Sequence, residues 1–244
     1  MVVKVNIRAF RDQLLGRLYP AACLLCGAQG VGTRELCGGC YSDLPWNHKA
    51  CARCALPLPA GVFPPALCAH CLQQPPIYDS AWAPLRYEKP LDWLITGLKF
   101  HQRLGNARLL GELASGLAPR RPKQKPDLLI PVPLHESRLK TRGYNQALEL
   151  ARPIARTLNI PLDVSGCVRT RATAAQSELD VKHRAVNVRG AFACSLNLVK
   201  KHVVIVDDVV TTGHTVNEFA RVLKRAGAAR IEVWSLTRTS RPGS

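Results

Sequence analysis

Val203-Val204-Ile205-Val206-Asp207-Asp208-Val209-Val210-Thr211-Thr212-Gly213-His214-Thr215 is the stretch on which the reading of this chain turns. Its first four residues are β-branched and apolar, the pattern of a strand buried on both faces of a parallel sheet. Asp207 and Asp208 follow at the strand's C-terminal end, where open α/β sheets bind their ligands. A small hydroxyl-and-glycine turn then leads into an amphipathic run from Val216 to Ala226. Such a turn aims backbone N–H groups at an anion, and the helix N-terminus adds partial positive charge. One loop thus offers carboxylates to hydroxyls or Mg²⁺ and amides to a phosphate, a combination suited to a phosphorylated sugar. A Walker B strand is the competing reading, but no G-x-x-x-x-G-K-[ST] accompanies it.

Working outward, other segments supply the rest of an α/β sheet. Asp127 to Val132 is a second short apolar strand, Asp163 to Arg169 can make another, Lys200 to Val206 supplies the strand of the opening stretch, and Arg230 to Thr237 is the last. Ser80 to Tyr87 alternates as a strand does. Helical patterns run from Pro90 to about His101, from about Asn106 to Leu117, and from Asn145, a natural N-cap, to Leu158. Pro153 lies inside the last of these and is expected to kink or split it. Strands alternating with helices indicate an open, mainly parallel sheet. Between Pro133 and Asn145 lie Arg138, Lys140 and Arg142, three cations within five residues. They read either as a solvated basic turn or as a clamp on phosphate oxygens. The polar segment from Thr170 to Gly190 lacks a clean period and reads as a surface excursion or as a flap over the site.

The front of the chain differs in kind. Eight of its ten cysteines form four C-x2-C pairs, Cys23/Cys26, Cys37/Cys40, Cys51/Cys54 and Cys68/Cys71. A C-x2-C knuckle presents two thiolates to one ion, and two knuckles close a four-cysteine shell around Zn²⁺. Four pairs make two structural sites, with iron–sulfur, redox and disulfide roles as the alternatives. The spacings permit both sequential and cross-braced pairing; sequential pairing, a double zinc ribbon, is the expectation. A segment this rich in Pro, Gly and Cys needs metal in place of a core. Cys167 and Cys194 stand alone and read as small core residues.

The chain carries 34 Lys+Arg against 17 Asp+Glu, a formal net charge of +17 over 244 residues. This balance favours polyanionic partners, nucleic acid or pyrophosphorylated metabolites. No run of 18 apolar residues is present, which excludes membrane insertion by a spanning helix. The first 19 residues, interrupted by Lys4, Arg8, Arg11, Asp12 and Arg17, lack the form of a signal peptide and read as a helix. A cytoplasmic location is expected. The expected domains are residues 1–19, an N-terminal helix; 20–76, a double zinc ribbon; and 77–244, the α/β domain.

The Val203–Thr215 stretch resembles the PRPP loop of type I phosphoribosyltransferases. Together with the four knuckles and the Arg142-Gly143-Tyr144-Asn145-Gln146 piece, it makes the whole chain resemble the ComF/GntX family. These are phosphoribosyltransferase-like proteins with a double zinc ribbon, linked to natural competence and the use of external DNA. The resemblance implies that Asp207 and Asp208 bind the ribose hydroxyls of PRPP, directly or through Mg²⁺. It implies that Thr211, Thr212, Gly213, His214 and Thr215 cradle the 5′-phosphate, and that Arg138, Lys140 and Arg142 hold the pyrophosphate. Arg171, Gln176 and Arg184 would belong to a flap. Arg169 and Asn187 also fit the family's pattern. Single-stranded DNA and competence-machinery proteins become candidate partners. Two functions stay open: a Mg²⁺-dependent phosphoribosyltransferase, or a non-catalytic factor that handles single-stranded DNA with PRPP as effector.

Overall fold

The computed structural model of the chain describes residues 21–101, 104–118, 124–172 and 188–240. The expected N-terminal helix, and Gln176, Arg184 and Asn187 of the expected flap, lie outside them. Two compact units emerge, Met1–Leu44 and Pro45–Ser244. The first knuckles, Cys23/Cys26 and Cys37/Cys40, fall in the first unit, whereas Cys51/Cys54 and Cys68/Cys71 fall in the second.

In chain order the elements are α1 (Gly38–Ser42), α2 (Ala69–Gln73), β1 (Ser80–Trp82), β2 (Leu85–Arg86), α3 (Leu91–His101) and α4 (Leu104–Leu117). Then come β3 (Leu128–Pro131), α5 (Glu136–Arg142), α6 (Gln146–Leu158), β4 (Cys167–Arg169), β5 (Phe192–Cys194), β6 (His202–Val210), α7 (His214–Arg225) and β7 (Arg230–Arg238). The main sheet is parallel throughout, in the order β1-β7-β6-β3, with β2 pairing further along β7. β1 and β2 are one edge interrupted at Pro84, which has no N–H to donate to a ladder. The fold is therefore the open parallel sheet that the strand pattern predicts, and of the type I phosphoribosyltransferase kind that the resemblance implies.

β6 is flanked by strands on both sides, and its apolar run explains why. Val203, Val204, Ile205 and Val206 are all essentially inaccessible, so alternate side chains are covered on both faces. Val203 and Ile205 join Val216, Phe219, Ala220 and Leu223 of α7 in one buried cluster. The same cluster takes in Cys51, Cys54, Cys68 and Cys71, so the second knuckle set is built into the core of the larger unit. β6 runs farther than its sequence suggests: it continues through both aspartates to Val210, in register with β7 at Asp207↔Ser235 and Val210↔Arg238. The paired acids are therefore strand residues on opposite faces rather than loop residues.

α6 is not split at Pro153. The missing N–H leaves the Glu149 carbonyl without its helical donor, but the Pro153 ring packs at Gly111 of α4, where a Cβ would stand 3.0 Å from the Pro153 Cγ. A close approach of α4 and α6 accommodates the proline. β4 is shorter than expected and pairs antiparallel with β5 outside the main sheet.

Candidate sugar-phosphate site and zinc centres

Each set of four cysteines, Cys23/Cys26/Cys37/Cys40 and Cys51/Cys54/Cys68/Cys71, brings its sulfurs within 4.8 Å of one another. Pairing is thus sequential. Tetrahedral Zn²⁺ with Zn–S bonds of about 2.3 Å requires sulfur–sulfur edges of about 3.8 Å. Cys26 and Cys37 stand 3.7 Å apart and Cys54 and Cys68 3.6 Å. Backbone N–H groups of Cys40 and Cys68 donate to Cys37 and Cys51 sulfurs at 3.4 and 3.3 Å, as they would to thiolates. All ten cysteines are free of disulfides, and the donor sets fit two structural zinc ions. Each first knuckle closes with a left-handed residue. Gly27, at φ +77, and Ala55, at φ +56, send their N–H back to the first cysteine's carbonyl at 2.9 and 3.0 Å. The second set is wholly buried, while three of the first set are partly or fully exposed.

In the larger unit, the C-terminal end of β6 meets three other segments. Asp208 is buried and Asp207 half-buried. Lys99, in the last turn of α3, places its Nζ 2.6 Å from Asp208 Oδ2. The contact is an ion pair by distance, without the angular geometry of a hydrogen bond. Burial alone would raise the Asp208 carboxyl, but the Lys99 ammonium overrides it and holds that carboxyl below its ordinary value. Asp207 goes the other way: burial, then the charge of Asp208, pushes it well above the ordinary value. Lys99 in turn is raised, because Asp208 outweighs the burial that would neutralise it. Burial and Lys99 thus push the two adjacent acids in opposite directions.

Past β6, Gly213 adopts φ +83 and is the N-cap of α7, contributing no side-chain cap. Glycine is needed for this left-handed turn. The Thr212 hydroxyl oxygen is buried with no hydrogen-bond partner among the described residues. Thr211, Thr212, Gly213, His214 and Thr215 are all half-buried. A cavity of about 450 Å³ lies alongside α7, lined by Arg189, Asn217, Glu218 and Arg221 and sharing His214 with the loop.

Four residues of the Arg142–Gln146 piece, Arg142 to Asn145, have a local duty. Gly143 ends α5 in the left-handed conformation, with its N–H on the Leu139 carbonyl at 2.8 Å. Asn145 caps α6 by accepting from the Ala147 N–H at 3.0 Å and donates to the Val132 carbonyl at 3.0 Å, tying the turn to the end of β3. Tyr144 donates its hydroxyl to the Leu98 carbonyl. Arg142 stacks 5.7 Å over the Phe100 ring. Burial, reinforced by Arg138, lowers the Arg142 guanidinium, while Asp208 opposes. Arg138 and Arg142 are four apart and share one face of α5; Lys140 lies between them and turns away. Its side chain is 75% exposed and paired with Glu136 at 2.6 Å.

Two further cations were not singled out as site residues by the sequence. Lys99 continues the buried Leu91, Leu94, Ile95, Leu98 stripe of α3, and a lysine at such a position is the signal that could have found it. Arg169, at the end of β4, is lowered to about 10 by burial and then by Arg138, with Asp207 opposing. Arg171 is exposed and donates to the Arg189 carbonyl at 2.9 Å. Arg142 thus feels the charge of Asp208 and Arg169 that of Asp207, while Arg138 repels both guanidinium groups, a set of cations that favours an anion.

The Thr211–Thr215 loop is also tied to the second four-cysteine set. Arg238, 4% exposed at the end of β7, donates Nε–H to the Cys54 carbonyl at 3.1 Å. Its Nη1 donates to the Val210 carbonyl at 2.8 Å and to the Thr211 carbonyl.

Residues 14–72 match the Double zinc ribbon domain and residues 145–242 the Phosphoribosyl transferase domain. The chain is 39% identical over 225 residues to DNA utilization protein YhgH of Escherichia coli O157:H7, across 90% of this chain and 98% of that one. It is 33% identical over 225 residues to Competence protein F of Haemophilus influenzae, across 88% of this chain and 96% of that one. Among solved structures, the glutamine PRPP amidotransferase of B. subtilis aligns with a TM-score of 0.36 and 20% identity, covering 53% of this chain and 26% of that chain. With two four-cysteine sets ahead of a phosphoribosyltransferase domain, and relatives matched over nearly their full length, this chain belongs to the ComF/GntX family.

Proposed function

We propose that this protein binds PRPP with Mg²⁺ at the end of β6 and serves the handling of external DNA. One observation carries the reading: an acid pair, with Asp208 buried against Lys99, lies in the last stretch of β6, ahead of a left-handed glycine turn that holds an orphaned threonine hydroxyl. Asp207 and Asp208 take the ribose hydroxyls. Thr211 to Thr215 and the N-terminus of α7 receive the 5′-phosphate. Arg138 and Arg142, with Arg169, neutralise the pyrophosphate; Lys140 contributes as a peripheral charge. Arg171, Gln176 and Arg184 are assigned to a flap that excludes water. The carboxylates are the hard oxygen donors that Mg²⁺ takes one or two at a time alongside substrate phosphates, so the donor set fits. When bound, Mg²⁺ would neutralise pyrophosphate charge. Lys99 already compensates Asp208, which leaves Asp207 as the carboxylate to be engaged.

If the site also turns PRPP over, these residues work by positioning and electrostatics around an oxocarbenium-like centre, with no side-chain nucleophile required. A second reading, a non-catalytic factor for single-stranded DNA that uses PRPP as effector, is favoured by the net charge of +17 and by relatives named for DNA utilization and competence. A cytoplasmic location goes with either. Among the described residues no helix is long and apolar enough to cross a membrane.

Thermal unfolding with and without PRPP and Mg²⁺ tests the assignment. A hundredfold excess of ligand over Kd stabilises by about 2.7 kcal/mol, or about 5–10 °C for a chain of this size. Asp207→Asn combined with Asp208→Asn should remove that shift. No shift in the unsubstituted protein overturns the assignment. Release of pyrophosphate across a panel of bases distinguishes transferase from effector-binding protein. Affinity for single-stranded DNA that falls steeply with salt supports the DNA role; a flat response counts against it.

A further inference from the structure

Cys167 and Cys194, solitary in sequence, are direct cross-strand neighbours in the β4–β5 pair. Backbone bonds fix the kind of position they share. The Ser195 N–H donates to the Gly166 carbonyl at 2.8 Å, and the Thr170 N–H to the Ala191 carbonyl at 3.0 Å. In an antiparallel ladder hydrogen-bonded and non-hydrogen-bonded pairs alternate. Gly166↔Ser195 and Thr170↔Ala191 are of the first kind, so Cys167↔Cys194 and Arg169↔Phe192 are of the second. Non-hydrogen-bonded pairs bring Cα atoms to about 4.5 Å with their side chains close together, inside the Cα separation of about 4.4–6.8 Å that a disulfide spans. Both cysteines are free, and the Cys194 thiol is near enough to help raise that of Cys167. Cys167 is buried and Cys194 half-buried, so one thiol is shielded and the other open to reagents.

We propose that Cys167 and Cys194 are a dithiol–disulfide site whose oxidation locks the β4–β5 register. Residues two apart on a strand share a face, which puts the pair beside Arg169 and Phe192. The Arg169 guanidinium lies 5.4 Å over the Phe192 ring, and that ring lies 5.0 Å from Phe219 of α7. The covalent staple therefore sits one pair away from the cation that faces Asp207. The disulfide itself depends on nothing at the sugar-phosphate loop.

The oxidant is a small-molecule disulfide such as oxidised glutathione. The Cys194 thiolate attacks one glutathione sulfur, forming a mixed disulfide and expelling one glutathione thiolate. The Cys167 thiolate then attacks the Cys194 sulfur, forming the protein disulfide and expelling the second. Two electrons leave the protein and one glutathione disulfide becomes two thiols. Burial and the neighbouring Cys194 hold the Cys167 thiol above its ordinary range, so the first attack falls to Cys194 and the second is the slow step.

The experiment incubates full-length zinc-loaded protein with oxidised glutathione and maps tryptic peptides without reduction. Cys167 falls in residues 157–169 and Cys194 in residues 190–200, and neither fragment holds another cysteine. The expected product is these two fragments joined, separating on reduction. In Cys167→Ser, Cys194 should instead retain glutathione; in Cys194→Ser, Cys167 should remain a free thiol. A wild-type product in which Cys194 keeps glutathione while Cys167 stays free, or in which either cysteine is joined to a cysteine of the zinc sets, overturns the proposal. So does protein that remains fully unmodified at both positions under conditions that oxidise a free cysteine peptide.

Discussion

Arg238 donates from one guanidinium to the Cys54 carbonyl at 3.1 Å and to the Val210 carbonyl at 2.8 Å, so one buried side chain spans the second four-cysteine set and the start of the Thr211–Thr215 loop. A planar fork of donors suits this bridge in a way that a point-charged ammonium does not. Arg238→Lys should weaken it and Arg238→Met should remove it, leaving the Cys54 carbonyl without this donor while the Val210 carbonyl keeps the Thr239 N–H at 3.1 Å. A loss of about 1–3 kcal/mol accompanies each such orphaned group. Urea unfolding of Arg238→Met should therefore report a destabilisation of about 3 kcal/mol. Zinc content should remain two per chain in Arg238→Lys, while hydrogen exchange at the amides of residues 211–215 quickens. Unchanged exchange there would refute the coupling.

Lys99 and Asp208 make a second test. Replacing one member of a buried pair leaves the other charged and alone, a loss of about 3 kcal/mol. Lys99→Met should show it at neutral pH. The folded Asp208 value lies below its unfolded one, so its stabilisation is present above the ordinary carboxylate pKa and lost as pH falls through the depressed folded value. The gap between Lys99→Met and wild type should accordingly close in acid. A gap that stays constant down to acid pH means Lys99 acts by packing and not by charge.

Asp207 carries the opposite sign. Its folded value is raised, so above the ordinary carboxylate pKa of about 3.9 the unfolded chain releases a proton that the folded chain keeps. Stability then falls with rising pH until the raised folded value is passed. Asp207→Asn should lift the thermal midpoint at neutral pH, with a gain that shrinks toward pH 4, while abolishing the shift produced by PRPP. A variant less stable than wild type at neutral pH would contradict the strained-acid account.

The two zinc sets should be lost at different rates. The cysteines of the second set are all buried in the core, and most of the first set are not. A chelator followed by a colorimetric zinc indicator should release one equivalent quickly and the second at least tenfold more slowly. Cys26→Ser should leave one tightly held zinc and a folded larger unit, whereas Cys54→Ser should unfold at a lower temperature. A single release phase for both ions would show that burial does not set their lability.

Much of this architecture is legible in the residues alone because it is written in local spacing. Four β-branched residues before two acids and a Thr-Thr-Gly turn specify a buried strand and its ligand-binding end. Four C-x2-C pairs specify two metal shells, since two thiolates three positions apart naturally converge on one ion. Asn145 announces where α6 begins, whereas α5, which ends at Gly143, reads in sequence as a basic turn or clamp. Pairing of the knuckles needed the fold, because nearly equal gaps allow both arrangements.

What the tertiary structure alone decided are the partners that spacing cannot report. Lys99 reads as the end of an amphipathic helix until α3 docks its last turn on Asp208. Arg238 and Cys54 lie 184 positions apart. Cys167 and Cys194 look solitary until an antiparallel register sets them face to face. Lys140 counts as one of three clustered cations in sequence, yet helical geometry turns it from the face that Arg138 and Arg142 share. Periodicity fixes which side of an element is buried. Which distant charge, carbonyl or thiol meets that side follows from how the elements pack, and that packing set Lys99 against Asp208.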